Sequence, residues 1–113
     1  MYRDREAFVV EAELELEDAT DPGAIGAAVT AELCGDWTHE GPCRWPHNNA
    51  IVFGSFRTVV VAEPEESELV LNRVEAALRD GAGWTFVRAR RRGVANEERA
   101  LAERLARTSR ASL

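Results

Sequence analysis

Between Glu6 and Asp18 the chain alternates with a period of two. Phe8, Val10, Ala12, Leu14 and Leu16 form one row, and Val9, Glu11, Glu13, Glu15 and Glu17 form the other. Only an extended strand sends alternate side chains to opposite faces. One row is apolar and the other is largely acidic, so this strand has one buried side and one wet side. Any fold for the chain must cover the first row and leave the glutamates near water.

The remaining elements follow from capping signals and apolar spacing. Asp21-Pro22 opens a helix, with Asp supplying an N-cap oxygen and Pro fitting the first helical position. Ile25, Ala28, Val29 and Leu33 recur at helical spacing, and Gly35 is the natural stop. Residues 36–49, with Gly41, Pro42 and Pro46, read as irregular. Residues 50–62 read as two short strands or one bulged strand, with the β-branched run Thr58, Val59, Val60, Val61 central. Pro64 with Glu65, Glu66 and Glu68 starts a second helix, where acidic residues suit the positive end. Its buried stripe is Val70, Leu71, Val74, Ala77 and Leu78, and Gly81 ends it. Residues 84–92 form a last strand. Asn96 is expected to cap a final helix with Leu101 and Leu105 on its inner face.

The order β-α-(β)β-α-β-α predicts an α+β fold. The simplest topology is a ferredoxin-like α/β sandwich: a three- or four-stranded, mainly antiparallel sheet with helices on one face and an extra C-terminal helix. All helices are expected to shelter the same apolar face, because the other carries Glu11, Glu13, Glu15 and Glu17. Residues 1–113 are expected to form a single domain, a length that supports one core. In this topology the first and last strands are antiparallel neighbours. Arg88, Arg90 and Arg92 then lie across from the glutamates, and opposed charges on facing strands stabilise by roughly 0.2–1 kcal/mol per pair. A phosphate or acidic-partner site is the competing reading of that arginine row.

The charge is uneven. Residues 1–68 hold 15 acidic residues and 4 arginines, a net of −11, while residues 69–113 hold 5 and 10, a net of +5. The overall −6 opposes general nucleic-acid binding, which needs a positive field. No apolar run approaches the roughly 18 residues of a membrane span. The first residues lack the small-residue cleavage pattern of a secretory signal, so a cytoplasmic location with reduced cysteines is expected.

Every cysteine and histidine falls between positions 34 and 47, in the run C-G-D-W-T-H-E-G-P-C-R-W-P-H. Cys34, His39, Cys43 and His47 make two thiolates and two imidazoles, the donor set that tetrahedral zinc prefers. Their spacing is Cys-x4-His-x3-Cys-x3-His, with Gly35, Gly41 and two prolines to let the loop curl. Asp36 and Glu40 could orient the imidazoles from behind. The spacing matches no zinc-finger or zinc-ribbon pattern. The competing reading has no metal: Cys34 is a small core residue, Trp37 and Trp45 pack the loop onto the domain, and the histidines make hydrogen bonds. A Cys34–Cys43 redox pair lacks C-x-x-C geometry. A small enzyme or ligand site could instead use His39 or His47 as base and Cys43 as nucleophile. No P-loop, G-x-S-x-G elbow or G-x-G-x-x-G supports a particular reaction. Trp37, Arg44, Trp45, Asn48 and Asn49 are the candidate contacts to a ligand or partner.

Trp84 and Phe86 share strand parity with Arg88, Arg90 and Arg92. A straight strand therefore puts both aromatics on the open face, as a candidate homodimer surface. A bulge near Val87 would instead turn them inward. The reading that leads is a small zinc-binding α+β protein whose metal holds the 34–47 loop. Its rivals are a metal-free interaction module and a small enzyme.

Overall fold

The computed structural model describes residues 5–34, 45–52 and 55–108; the side chains of Cys34, Val52 and Thr108 lie outside the description. The elements are β1 (Glu6–Leu16), α1 (Gly23–Cys34), β2 (His47–Val52), β3 (Ser55–Ala62), α2 (Ser67–Asp80), β4 (Trp84–Arg92) and α3 (Arg99–Thr108). Short 3-10 turns at Pro64–Glu66 and Asn96–Glu98 lead into α2 and α3. The strands form one antiparallel sheet in the order β2-β3-β1-β4. This is the expected ferredoxin-like α+β sandwich with a C-terminal helix. No helix among the described residues is long and apolar enough to cross a membrane.

β1 lies inside the sheet, as its two unlike rows require. Val10 and Ala12, with Phe8 and Leu14 at the margins, pack beneath α1 and α2 against Ile25, Val29, Val70, Val74 and Leu78. Local signals set the helix ends. The Gly23 N–H donates to Asp21 Oδ1 at 2.9 Å, opening α1. Gly81 closes α2 where a Cβ would lie 1.9 Å from the Trp84 ring. β3 is buried on both sides, which is why Val59, Val60 and Val61 run without alternation.

The second face is not wholly open. Val9, Val59 and Ala102 form a separate apolar cluster, flanked by Ala7, Val94, Leu101 and Leu105. Thus α3 crosses to the face opposite α1 and α2, whereas one sheltered face was expected for every helix. The cause is the acidic row itself. Its first members are Ala7 and Val9, and they meet Val61 and Val59 of β3. That end of the face is apolar and must be covered.

One carboxylate locks α3 in place. Glu98 is 7% exposed. Its Oε1 and Oε2 accept from Arg92 Nη1 and Nη2 at 2.7 and 2.8 Å, and Oε1 also accepts from the Ala95 N–H at 2.9 Å. Arg57 lies 3.7 Å away. Hydrogen bonds from Arg92 lead the causes that hold the Glu98 carboxyl at about 2 against an ordinary 4.5. Glu98 thus supplies the helix-entry bond expected of Asn96; Asn96 Oδ1 instead accepts from Arg99.

The rest of the face carries the expected ladder. Arg90 meets Glu11 at 2.7 Å, Arg92 meets Glu11 at 3.2 Å and Arg88 meets Glu13 at 2.9 Å. Hydrogen bonding by Arg90 is the main cause that holds Glu11 below the usual carboxylate range. Arg91 points the other way, to Glu68, Asn72 and Glu75 of α2. Pairing slips between Glu13 and Leu14: Glu13 faces Arg88, but Leu14 faces Phe86. Val87 is the extra residue, and beyond it the strand's parity inverts. Trp84 and Phe86 therefore belong to the helix-covered core, and the straight-strand placement on the open face is overturned. Trp84 is 7% exposed, and its indole N–H donates to the Leu78 carbonyl at 2.8 Å.

Two outcomes follow for stability. Glu98→Gln should cost about 1–3 kcal/mol in urea unfolding, because it breaks a bidentate charged pair. The depressed folded value means that the Glu98 contribution is present above pH 4.5 and is lost as pH falls from there through about 2. The variant's deficit should therefore shrink across that acid window. Trp84→Glu buries a carboxylate in the core and should destabilise by about 3–5 kcal/mol in the same assay; a variant as stable as wild type would contradict the inward placement.

Candidate functional site

The loop that carries the cysteines and histidines leaves α1 at Cys34 and returns at Trp45. Its root is built from three side chains of the returning strand and one helix face. Trp45 is 5% exposed and belongs to the main core. Its indole N–H donates to Glu66 Oε1 at 3.1 Å, and the Arg73 guanidinium lies 5.2 Å from the ring centroid. So Trp45 pins the chain to the start of α2 and packs inward, the packing role that was named beside the partner-contact one.

His47, Asn48 and Asn49 were expected in irregular chain. They form the first half of β2, opposite Val60, Val59 and Thr58. Asn is a poor strand former. Here tertiary hydrogen bonds override that preference. Asn49 lies beneath α1, and its Nδ2 donates to the Gly26 carbonyl at 3.1 Å and to Thr30 Oγ1 at 3.2 Å. The approach is close: a Cβ on Gly26 would meet the Asn49 side chain at 3.3 Å. Asn48 points to the opposite face and accepts from Arg57 Nη2 at 3.2 Å.

His47 sits between the loop and the helix. Its Nδ1 is 2.9 Å from the Trp45 carbonyl and its Nε2 is 2.9 Å from Thr30 Oγ1. The proton positions follow by elimination. A carbonyl only accepts, so Nδ1 carries the proton. In the neutral ring Nε2 is then the acceptor, and Thr30 donates to it while accepting from Asn49. The result is a directed file: Asn49 to Thr30, Thr30 to His47, His47 to the Trp45 carbonyl. Thr30 was not foreseen as a participant. It is the only hydroxyl residue in the α1 sequence, and that is the signal for it.

Of the candidate metal ligands, only His47 has a described side chain. His39 and Cys43 lie outside the described residues, as do Asp36, Trp37, Glu40 and Arg44, and the side chain of Cys34. Cys34 follows Thr30 by four residues, one helical turn. Among the described residues no group of three or more His, Cys, Asp or Glu is placed to hold a metal ion.

The open sheet face offers a concavity whose lining includes Glu11, Ser55, Arg57, Arg92, Glu97 and Glu98. Its central charges already face one another, as Arg92 does Glu98 and Glu11. The arginine row is thus accounted for by cross-strand pairing. No protein-family model, no curated protein and no solved structure matches this chain.

The file makes Thr30 the link between helix and loop root. Thr30→Val keeps the shape and removes the hydroxyl. It should lower stability by about 1–2 kcal/mol in chemical unfolding, since the His47 Nε2 and an Asn49 N–H both lose their partner. The 15N spectrum of His47 should show one tautomer, protonated at Nδ1, in wild type and a mixture in the variant. An unchanged spectrum would mean that Thr30 does not orient the ring.

Proposed function

We propose that this chain is a small metal-binding α+β protein in which zinc, held by Cys34, His39, Cys43 and His47, fixes the loop between α1 and β2. The pose of His47 carries the reading. A metal-ligating histidine commonly donates its other ring N–H to a carbonyl or carboxylate, which fixes the tautomer. His47 has that arrangement: Nδ1 lies 2.9 Å from the Trp45 carbonyl, which only accepts, so in the neutral ring Nε2 carries the lone pair. Nε2 faces α1 at Thr30, one turn before Cys34. Two of the four donors are therefore rooted at neighbouring places on the fold. Ligation by His47 would exchange the Thr30 hydroxyl for the ion. Cys34, His39 and Cys43 would complete an N2S2 set suited to tetrahedral zinc. With all four engaged the ion is structural; with one released, water takes the open position.

A second reading rests on the same bond. Thr30 already satisfies Nε2, so the loop root needs no ion, and the chain would then be a metal-free interaction module. Its loop would present Trp37 and Arg44, and Asn48 is exposed on β2.

Elemental analysis of protein purified without an affinity tag separates the two. The zinc reading expects one equivalent of metal. It also expects Cys43→Ser to lose that metal and much of the loop's stabilisation, because structural zinc contributes on the order of 10 kcal/mol of binding free energy. Thermal unfolding with and without a strong chelator, with metal assayed in the same samples, checks the linkage. Folded protein without metal, and a Cys43→Ser variant within roughly 0.5–3 kcal/mol of wild type, would establish the second reading instead.

A further inference from the structure

Beneath α1, in a core made largely of apolar side chains, two polar side chains face each other across adjacent strands. Asn49 of β2 is directly opposite Thr58 of β3. Thr58 is completely buried. Its Oγ1 has no hydrogen-bond partner among the described residues, and neither does the buried Oδ1 of Asn49. Leaving such groups unpaired costs about 1–3 kcal/mol each, and buried polar atoms in folded proteins are nearly always satisfied. Two orphans side by side are therefore one problem with one solution.

The Asn49 amide cannot solve it by turning over. Its Nδ2 donates to the Gly26 carbonyl, which only accepts. A flipped amide would set two acceptor oxygens against each other. Oδ1 is thus held as an acceptor on the side away from α1's carbonyl and needs a donor. Thr58 has a hydroxyl proton to give and lone pairs to receive. The two residues are directly opposed and share one face of the sheet, which places both oxygens within reach of one small bridging molecule.

We propose that Asn49 and Thr58 form a binding site for a single internal water molecule. The water donates one proton to Asn49 Oδ1 and accepts the Thr58 hydroxyl proton. It becomes the inner end of the file that runs through Thr30 and His47 to the Trp45 carbonyl. An ion is a poor occupant: the pair offers two neutral oxygens and no charge. The site explains why a threonine, whose hydroxyl costs free energy to bury unpaired, interrupts the fully buried face of β3. It also gives Asn49 a complete set of partners and so fixes the amide that aims Thr30 at His47.

The test is a crystal structure of the wild-type chain at a resolution that shows ordered water, supported by water-to-protein cross-relaxation in NMR. The expected result is one solvent peak within about 2.6–3.2 Å of both oxygens, with a long-lived water signal to the Thr58 and Asn49 side chains. Thr58→Val should remove the peak and the signal and lower Tm by about 5 °C. A dry contact, with Thr58 rotated to donate directly to Asn49 Oδ1, would overturn the proposal. So would a Thr58→Val protein with Tm equal to or above that of wild type.

Discussion

The structure depends on the pairing of β1 with β3 at the centre of the sheet. Val9 faces Val59, Phe8 faces Val60 and Val10 faces Thr58. The central positions of this ribbon are covered from both sides, by α1 and α2 on one face and by α3 on the other. Burial of apolar area is the main force available to a chain of this size, at roughly 25 cal/mol per Å². Each outer element is positioned by what the ribbon leaves uncovered. β2 and β4 add at its edges, and the helices close over its apolar rows.

The acidic row is the constraint that the ribbon imposes in return. Glu11 and Glu13 cannot be covered by an apolar element, so β4 answers them with Arg90, Arg92 and Arg88. Exposed pairs of this kind contribute little alone, about 0–1 kcal/mol each. The pair that matters more is Arg92 with Glu98, because Glu98 is buried and enters α3. A ten-residue helix is marginal by itself. Its hold on the sheet combines that carboxylate with the apolar contacts of Leu101, Ala102 and Leu105.

Much of this was legible in the residues. The period-two rows placed β1 and its faces, the caps and stripes placed the helices, and the topology placed β4 beside β1 with its arginines across from the glutamates. What was missed has identifiable causes. Ala7 and Val9 stand ahead of the glutamates on the same row, so part of that face is apolar; reading the row as uniformly acidic hid the seat of α3. The bulge near Val87 was one of the two readings of the last strand, and residues alone could not choose it, since a one-residue slip shows only in pairing. His47 to Asn49 were read with the stretch that holds Gly41, Pro42 and Pro46, and the partners that hold them in a strand, Gly26 and Thr30, are about twenty residues away. The Cys/His run stood out at once. Its last member, His47, is bonded to α1, and the indole of Trp45 is packed on α2.

The loop root inherits its geometry from the central ribbon. β2 is aligned by β3, and α1 packs over β2 and against α2, so Thr30 and His47 meet only when the sheet is formed. Native-state hydrogen exchange tests that hierarchy most directly. The amides of Val9, Val10, Val59 and Val60 should exchange only by global unfolding, with free energies equal to the stability from denaturant curves. The amides of α3 should exchange through a smaller opening that leaves those four protected. Exchange of the β1 and β3 amides at lower free energy than those of α3 would contradict the account.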